Sequence, residues 1–153
     1  NCLTETPFLT DQSYREIKQI LDLSLNCIQL IKSTTFFTMN KLIRLNLSSN
    51  RLMLIEKMAF GKLNKLADLD LNNNSLCDLD EFTFTGLNSL ISLNLRENLI
   101  EEIRRSLFVD LFNLKSLNLG KNRLRSIEAG SFRNLNELKL LDLKKVQQSE
   151  NHN

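Results

Sequence analysis

The chain has no tryptophan, one tyrosine, one histidine and one proline among 153 residues. With His152 as the single histidine, close to the last residue, there is nothing from which to build a histidine-dependent triad or metal cluster, so neither catalysis nor a metal or cofactor is expected. The four glycines form no phosphate-cradling loop. Twenty Lys and Arg nearly balance 18 Asp and Glu, for a net charge of +2. With no long basic run to neutralise phosphates, no nucleic-acid partner is expected. No apolar run approaches the roughly 20 residues needed to cross a bilayer, so membrane contact would come only through a longer parent chain. The chain opens on Asn1 without a basic-then-apolar leader, so a secreted origin would require a leader already removed. Three cysteines, an odd count, leave at least one free or paired with another molecule.

Leucine, in contrast, recurs in a strict rhythm. The segment LIRLNLSSNRL from Leu42 to Leu52 returns as LADLDLNNNSL from Leu66, LISLNLRENLI from Leu90 and LKSLNLGKNRL from Leu114, each start 24 residues after the last. The frame extends back to Lys18 and forward into a broken sixth coil at Leu138, giving five full coils and a partial one. Further columns keep the same spacing: Phe36, Phe60, Phe84, Phe108 and Phe132, and an asparagine ladder of Asn26, Asn50, Asn74, Asn98 and Asn122. Residues 1–17 do not repeat and read as an N-terminal cap, 18–143 as the repeats, and 144–153 as a polar tail.

One coil cannot bury its own leucines and phenylalanine, whereas stacked coils merge them into one continuous core. Alternation over about six residues makes each L-x-x-L-x-L segment a strand with leucines inward, and successive strands then run parallel about 4.8 Å apart. The asparagines stand where the chain leaves the strand, offering donors and an acceptor to backbone groups that would otherwise be buried without partners.

The pattern L-x-x-L-x-L-x-x-N-x-L, with Phe and Leu columns behind it, resembles the leucine-rich repeat family, in particular its 24-residue extracellular class, which includes Toll-like receptor ectodomains. The resemblance implies an α/β solenoid, a horseshoe with a parallel concave sheet and an irregular convex side. It also implies non-enzymatic recognition of a protein or other macromolecule outside the cell, possible in innate immunity, with a structural scaffold or a cytoplasmic adaptor as alternatives. Two departures stand out: only Cys2 precedes the repeats, and no cysteine follows them.

The rigid concave face is the candidate ligand surface. Its charge drifts from acidic at Asp68 and Asp70 to basic at Lys115 and Lys121, and Arg44, Asp68, Asp70, Arg96, Lys115 and Lys121 are the expected contacts, against the simpler reading of a solvated polar face. A second column of Asp22, Asn46, Asp70, Asn94, Asn118 and Asp142 suggests acid/base or cation chemistry less than a structural habit of the repeat. Asn46 and Asn73 head N-x-Ser sequences that fit glycosylation acceptors or chance in an Asn- and Ser-rich chain. Cys27 and Cys77, two coils apart, exceed the roughly 7 Å limit for bridged Cα atoms. A Cys2–Cys27 bridge pinning the cap is one arrangement and three reduced thiols the other, with Cys77 expected to pack as a small buried hydrophobe. Val146 stands where the sixth ladder asparagine would be, so the last strand is expected to present an open edge, suited to a following segment or to self-association. Thiol titration of the denatured, unreduced protein separates the compartments: one free thiol is expected for the extracellular reading, three for the cytoplasmic one.

Overall fold

The computed structural model describes residues 2–4 and 19–145; most of the expected cap, residues 5–18, and the tail from residue 146 onward lie outside the described residues. Ten short strands follow in chain order: β1 (Ile20–Asp22), β2 (Leu30–Ile31), β3 (Arg44–Asn46), β4 (Leu54–Ile55), β5 (Asp68–Asp70), β6 (Ser92–Asn94), β7 (Glu102–Ile103), β8 (Ser116–Asn118), β9 (Ser126–Ile127) and β10 (Leu140–Asp142). The three-residue strands form one parallel sheet in the order β1-β3-β5-β6-β8-β10. In each, a leucine sits between two outward-facing residues, and Leu21, Leu45, Leu69, Leu93, Leu117 and Leu141 pair across the sheet as successive rungs. The first five are buried, whereas Leu141, in the last described strand, is exposed. The two-residue strands pair as β2 with β4 and β7 with β9 on the return side of the coils.

Behind the sheet the apolar columns merge into one cluster, running from Leu21 to Leu135, as coils that cannot close singly require. The phenylalanine column is a stack. Ring centroids of Phe36, Phe60, Phe84, Phe108 and Phe132 lie 5.9, 6.4, 6.1 and 6.0 Å apart in succession, with near-parallel planes. That spacing exceeds the roughly 4.8 Å between hydrogen-bonded strands, so the layers fan out toward the rings and the sheet takes the inner, concave side.

The solenoid and its parallel sheet are present, but the α component of the expected fold class is not: among the described residues none is helical. The convex segments are chains of turns. Met39 N–H bonds to Phe36 O at 3.0 Å, Leu63 N–H to Phe60 O at 2.9 Å and Leu111 N–H to Phe108 O at 3.2 Å, each closing over three residues rather than the four of an α-helix. Helices of about 10 Å diameter could not stack at the roughly 6 Å interval the rings maintain.

The asparagine side chains tie the coils together. Asn50 Nδ2 donates to Leu47 O of its own coil at 3.0 Å and to Leu23 O of the coil before at 2.9 Å, while its Oδ1 accepts from Ile28 N at 3.0 Å. Asn74, Asn98 and Asn122 repeat the pattern. To bring the amide inward the preceding residue turns left-handed: Leu25, Ser49, Asn73, Glu97 and Lys121 have φ between 53° and 56°. None is glycine. A left-handed conformation costs an ordinary residue about 1–2 kcal/mol, which the ladder bonds offset.

At the N-terminal end Leu3 takes the place of a preceding coil. Its N–H donates to Asn26 Oδ1 at 3.3 Å and its carbonyl accepts from Cys27 N at 2.8 Å. A Cys2–Cys27 disulfide, Cα atoms 5.6 Å apart, clamps it there.

Replacing Asn74 with Ala should therefore cost about 1–3 kcal/mol, because it strands buried backbone groups on two coils. Asn26→Ala should cost less, since Asn26 is half-buried and among the described residues donates only to Leu23 O and Ser24 O of its own coil. Urea unfolding midpoints of the two variants test that order.

Candidate functional site: the concave face

The outward side chains of the six-stranded sheet form a shallow trough. Its N-terminal part is a cavity of about 500 Å³ lined chiefly by Asp22, Arg44, Asn46, Asp68, Asp70 and Ser92. The Asp/Asn column has a local task here. Each Oδ1 accepts from the backbone N–H two residues on: Asp22 from Ser24 (2.9 Å), Asn46 from Ser48 (3.0 Å), Asp70 from Asn72 (2.9 Å), Asn94 from Arg96 (3.2 Å), Asn118 from Gly120 (2.9 Å) and Asp142 from Lys144 (2.9 Å). Asp and Asn carry an equivalent carbonyl-type oxygen at that reach, which explains their interchange. No group of metal-ligating side chains suited to an ion occurs among the described residues. The side-chain and backbone hydrogen bonds from Ser24 also hold the Asp22 carboxyl below its ordinary value.

The six expected contact residues divide into pairs and free charges. Arg44 on β3 and Asp68 on β5 form an ion pair, Nε to Oδ2 3.0 Å. Arg96 and Lys121 lie on the rim where the chain leaves β6 and β8, and they converge on a residue outside the expected set, Glu97: Arg96 Nε and Lys121 Nζ stand 3.3 and 2.9 Å from Glu97 Oε1. Arg96 Nη1 also reaches Asp142 Oδ2, two coils on, at 3.8 Å. Gly120 keeps that lane open, since a Cβ there would come within 3.1 Å of both Asp142 Oδ2 and Asn118 Oδ1. Lys121, chiefly through its hydrogen bond, and then Arg96 hold the Glu97 carboxyl below its ordinary value. Asp70 and Lys115 have no ion pair among the described residues, nor do Asp22, Lys139, Lys144 and Lys145. The uncompensated charge is thus negative over the first three strands and positive over the last two.

Around this face, Asn46 is half-buried in the floor and Asn73 exposed on the rim. Cys77 is free and exposed, not buried as expected. Its position in the coil, shared with the exposed Gln29, Met53 and Arg125, faces outward, and the buried positions belong to Leu76 and Leu79 on either side of the thiol. At the far end Leu140, Leu141 and Leu143 are exposed on and beside β10.

A leucine rich repeat family model matches residues 19–76, 65–119 and 88–145. The chain belongs to the leucine-rich repeat family. No curated protein matches it closely enough to count as a relative. Among solved structures it is similar to the TLR13–ssRNA13 complex, with a TM-score of 0.63 and 28% identity. That match takes in 83% of this chain and 21% of the other, so this leucine-rich repeat chain spans about a fifth of the length of its structural neighbour. The neighbour contains RNA, which bears against the expectation that nucleic acid is excluded as a partner class. Among the described residues there is no helix long and apolar enough to cross a membrane.

The pH dependence of stability follows from the lowered carboxyls. A group whose folded pKa lies below its unfolded value stabilises the fold above the unfolded value and loses that contribution as pH falls through the folded one. With ordinary values of 3.8 for Asp22 and 4.5 for Glu97, the urea midpoint should hold steady from neutral pH to about 5 and fall below that. Glu97→Gln should flatten the fall, as measured by equilibrium unfolding at stepped pH.

Proposed function

We propose that this chain is part of a cell-surface or secreted receptor of the Toll-like kind, serving innate recognition, and that it binds a protein ligand along its concave sheet without catalysis. The observation that carries this reading is the polarity of a rigid surface: carboxylates of Asp22 and Asp70 at one end and ammonium groups of Lys115, Lys139 and Lys144 at the other, none with an ion pair among the described residues. A pre-shaped sheet loses little entropy on binding, so modest polar contacts over several coils add up, and opposed charge at its two ends sets the direction in which a ligand lies. Arg44, Asp68, Arg96 and Lys121 would contribute by exchanging part of their internal pairing for the ligand. The Cys2–Cys27 disulfide supports an extracellular setting over a cytoplasmic adaptor.

RNA is the second reading, favoured by the neighbour's content and by the basic end of the face. Protein is preferred because the acidic half would repel phosphate and the outward positions of the sheet carry no aromatic ring on which bases stack. Self-association through the leucines beside β10 is the alternative to ligand binding, and a monomer by light scattering at high concentration would remove it.

The test is binding of the labelled chain to a panel of displayed extracellular proteins and to single-stranded RNA. Asp22→Lys with Asp70→Lys, and separately Lys115→Glu with Lys139→Glu, should each weaken a protein ligand at least about tenfold, about 1.4 kcal/mol, while Lys62→Glu on the convex side leaves it unchanged. Protein binding indifferent to both concave variants would overturn the reading. Steeply salt-dependent RNA binding lost only with the lysines would favour the second.

A further inference from the structure

The fold separates the two N-x-Ser sequences, and we propose that Asn73 carries an N-linked glycan while Asn46 does not. Asn46 lies in the floor of the sheet on β3, flanked in register by Asp22 on one side and Asp70 on the other. One end of its amide is engaged, Oδ1 accepting from Ser48 N at 3.0 Å, and the Asp22 and Asp70 carboxylates stand in register on the strands beside it. A sugar on that nitrogen would stand in the trough over the outward side chains of strands roughly 4.8 Å away on either side.

Asn73 differs in position and exposure. It is exposed, sits on the rim in a left-handed turn with φ 53°, and its amide has one side-chain partner, Ser49 Oγ at 3.2 Å, itself at the surface. The residue between acceptor and serine, Asn74, is a ladder asparagine turned into the interior, so the fold presents Asn73 outward while Asn74 points in.

The reaction joins C1 of an oligosaccharide, supplied on a lipid pyrophosphate, to Asn73 Nδ2. The C1–O bond breaks as the C1–N bond forms, the lipid pyrophosphate departs, the amide nitrogen loses one proton, and nothing is oxidised or reduced. Placed there, the glycan shields one rim of the third coil and leaves the trough open to a ligand arriving from the other side. The inference rests on the extracellular part of the proposed function.

The experiment is secretion of the chain from a eukaryotic host behind a cleavable leader, followed by peptide N-glycosidase treatment in heavy-oxygen water and peptide mass spectrometry. The heavy label is expected at Asn73 and absent at Asn46. Ser75→Ala should abolish a single gel-mobility step, Ser75→Thr should keep it, and Ser48→Ala should leave it unchanged. Label at Asn46, or none at Asn73 in secreted, disulfide-bonded chain, would overturn the site assignment and leave the ligand reading standing. Failure to be secreted with the Cys2–Cys27 bridge formed would count against both.

Discussion

Every coil of this protein depends on the moment when the chain leaves the concave sheet and its backbone polar groups enter the dry interior. Leu23, Leu47, Leu71 and Leu95 turn their carbonyls inward there, and Ile28, Leu52, Leu76 and Ile100 their amides. One asparagine side chain per coil meets both needs and does so across the boundary between coils. The ladder is therefore the element that fastens neighbours together, since leucine packing is non-directional and would tolerate slippage. Its demand for an inward amide also explains one left-handed residue in each of five coils, none of them glycine.

Curvature follows from two unequal spacings. Hydrogen bonds hold the strands together on one side, and stacked phenylalanine rings hold the coils about 6 Å apart on the other. With turns in place of helices on the convex side the difference is small, so the trough is shallow and open. A surface of that shape suits a broad polar contact better than an enclosed pocket for a small molecule.

The charges on the trough show how far period arithmetic reaches. Arg44 and Asp68 are 24 residues apart, as are Glu97 and Lys121, and in a solenoid of that period such residues are cross-strand neighbours. Both pairs can be read from the chain alone once the frame is known. The Arg96–Asp142 contact spans two coils and depends on the missing side chain of Gly120. It rests on local geometry that no spacing encodes.

What the amino-acid order determined by itself is the coil length, the parallel register, the inward columns and the position of every ladder asparagine, because each obeys one repeated burial requirement. What only the tertiary structure decided is the contact of Arg96 with Asp142 across two coils, how deep the trough is, and that the convex side is made of turns. Outward side chains answer to no shared dry interior. Their partners are chosen by distances across and between coils, and a periodic pattern of burial carries no record of those.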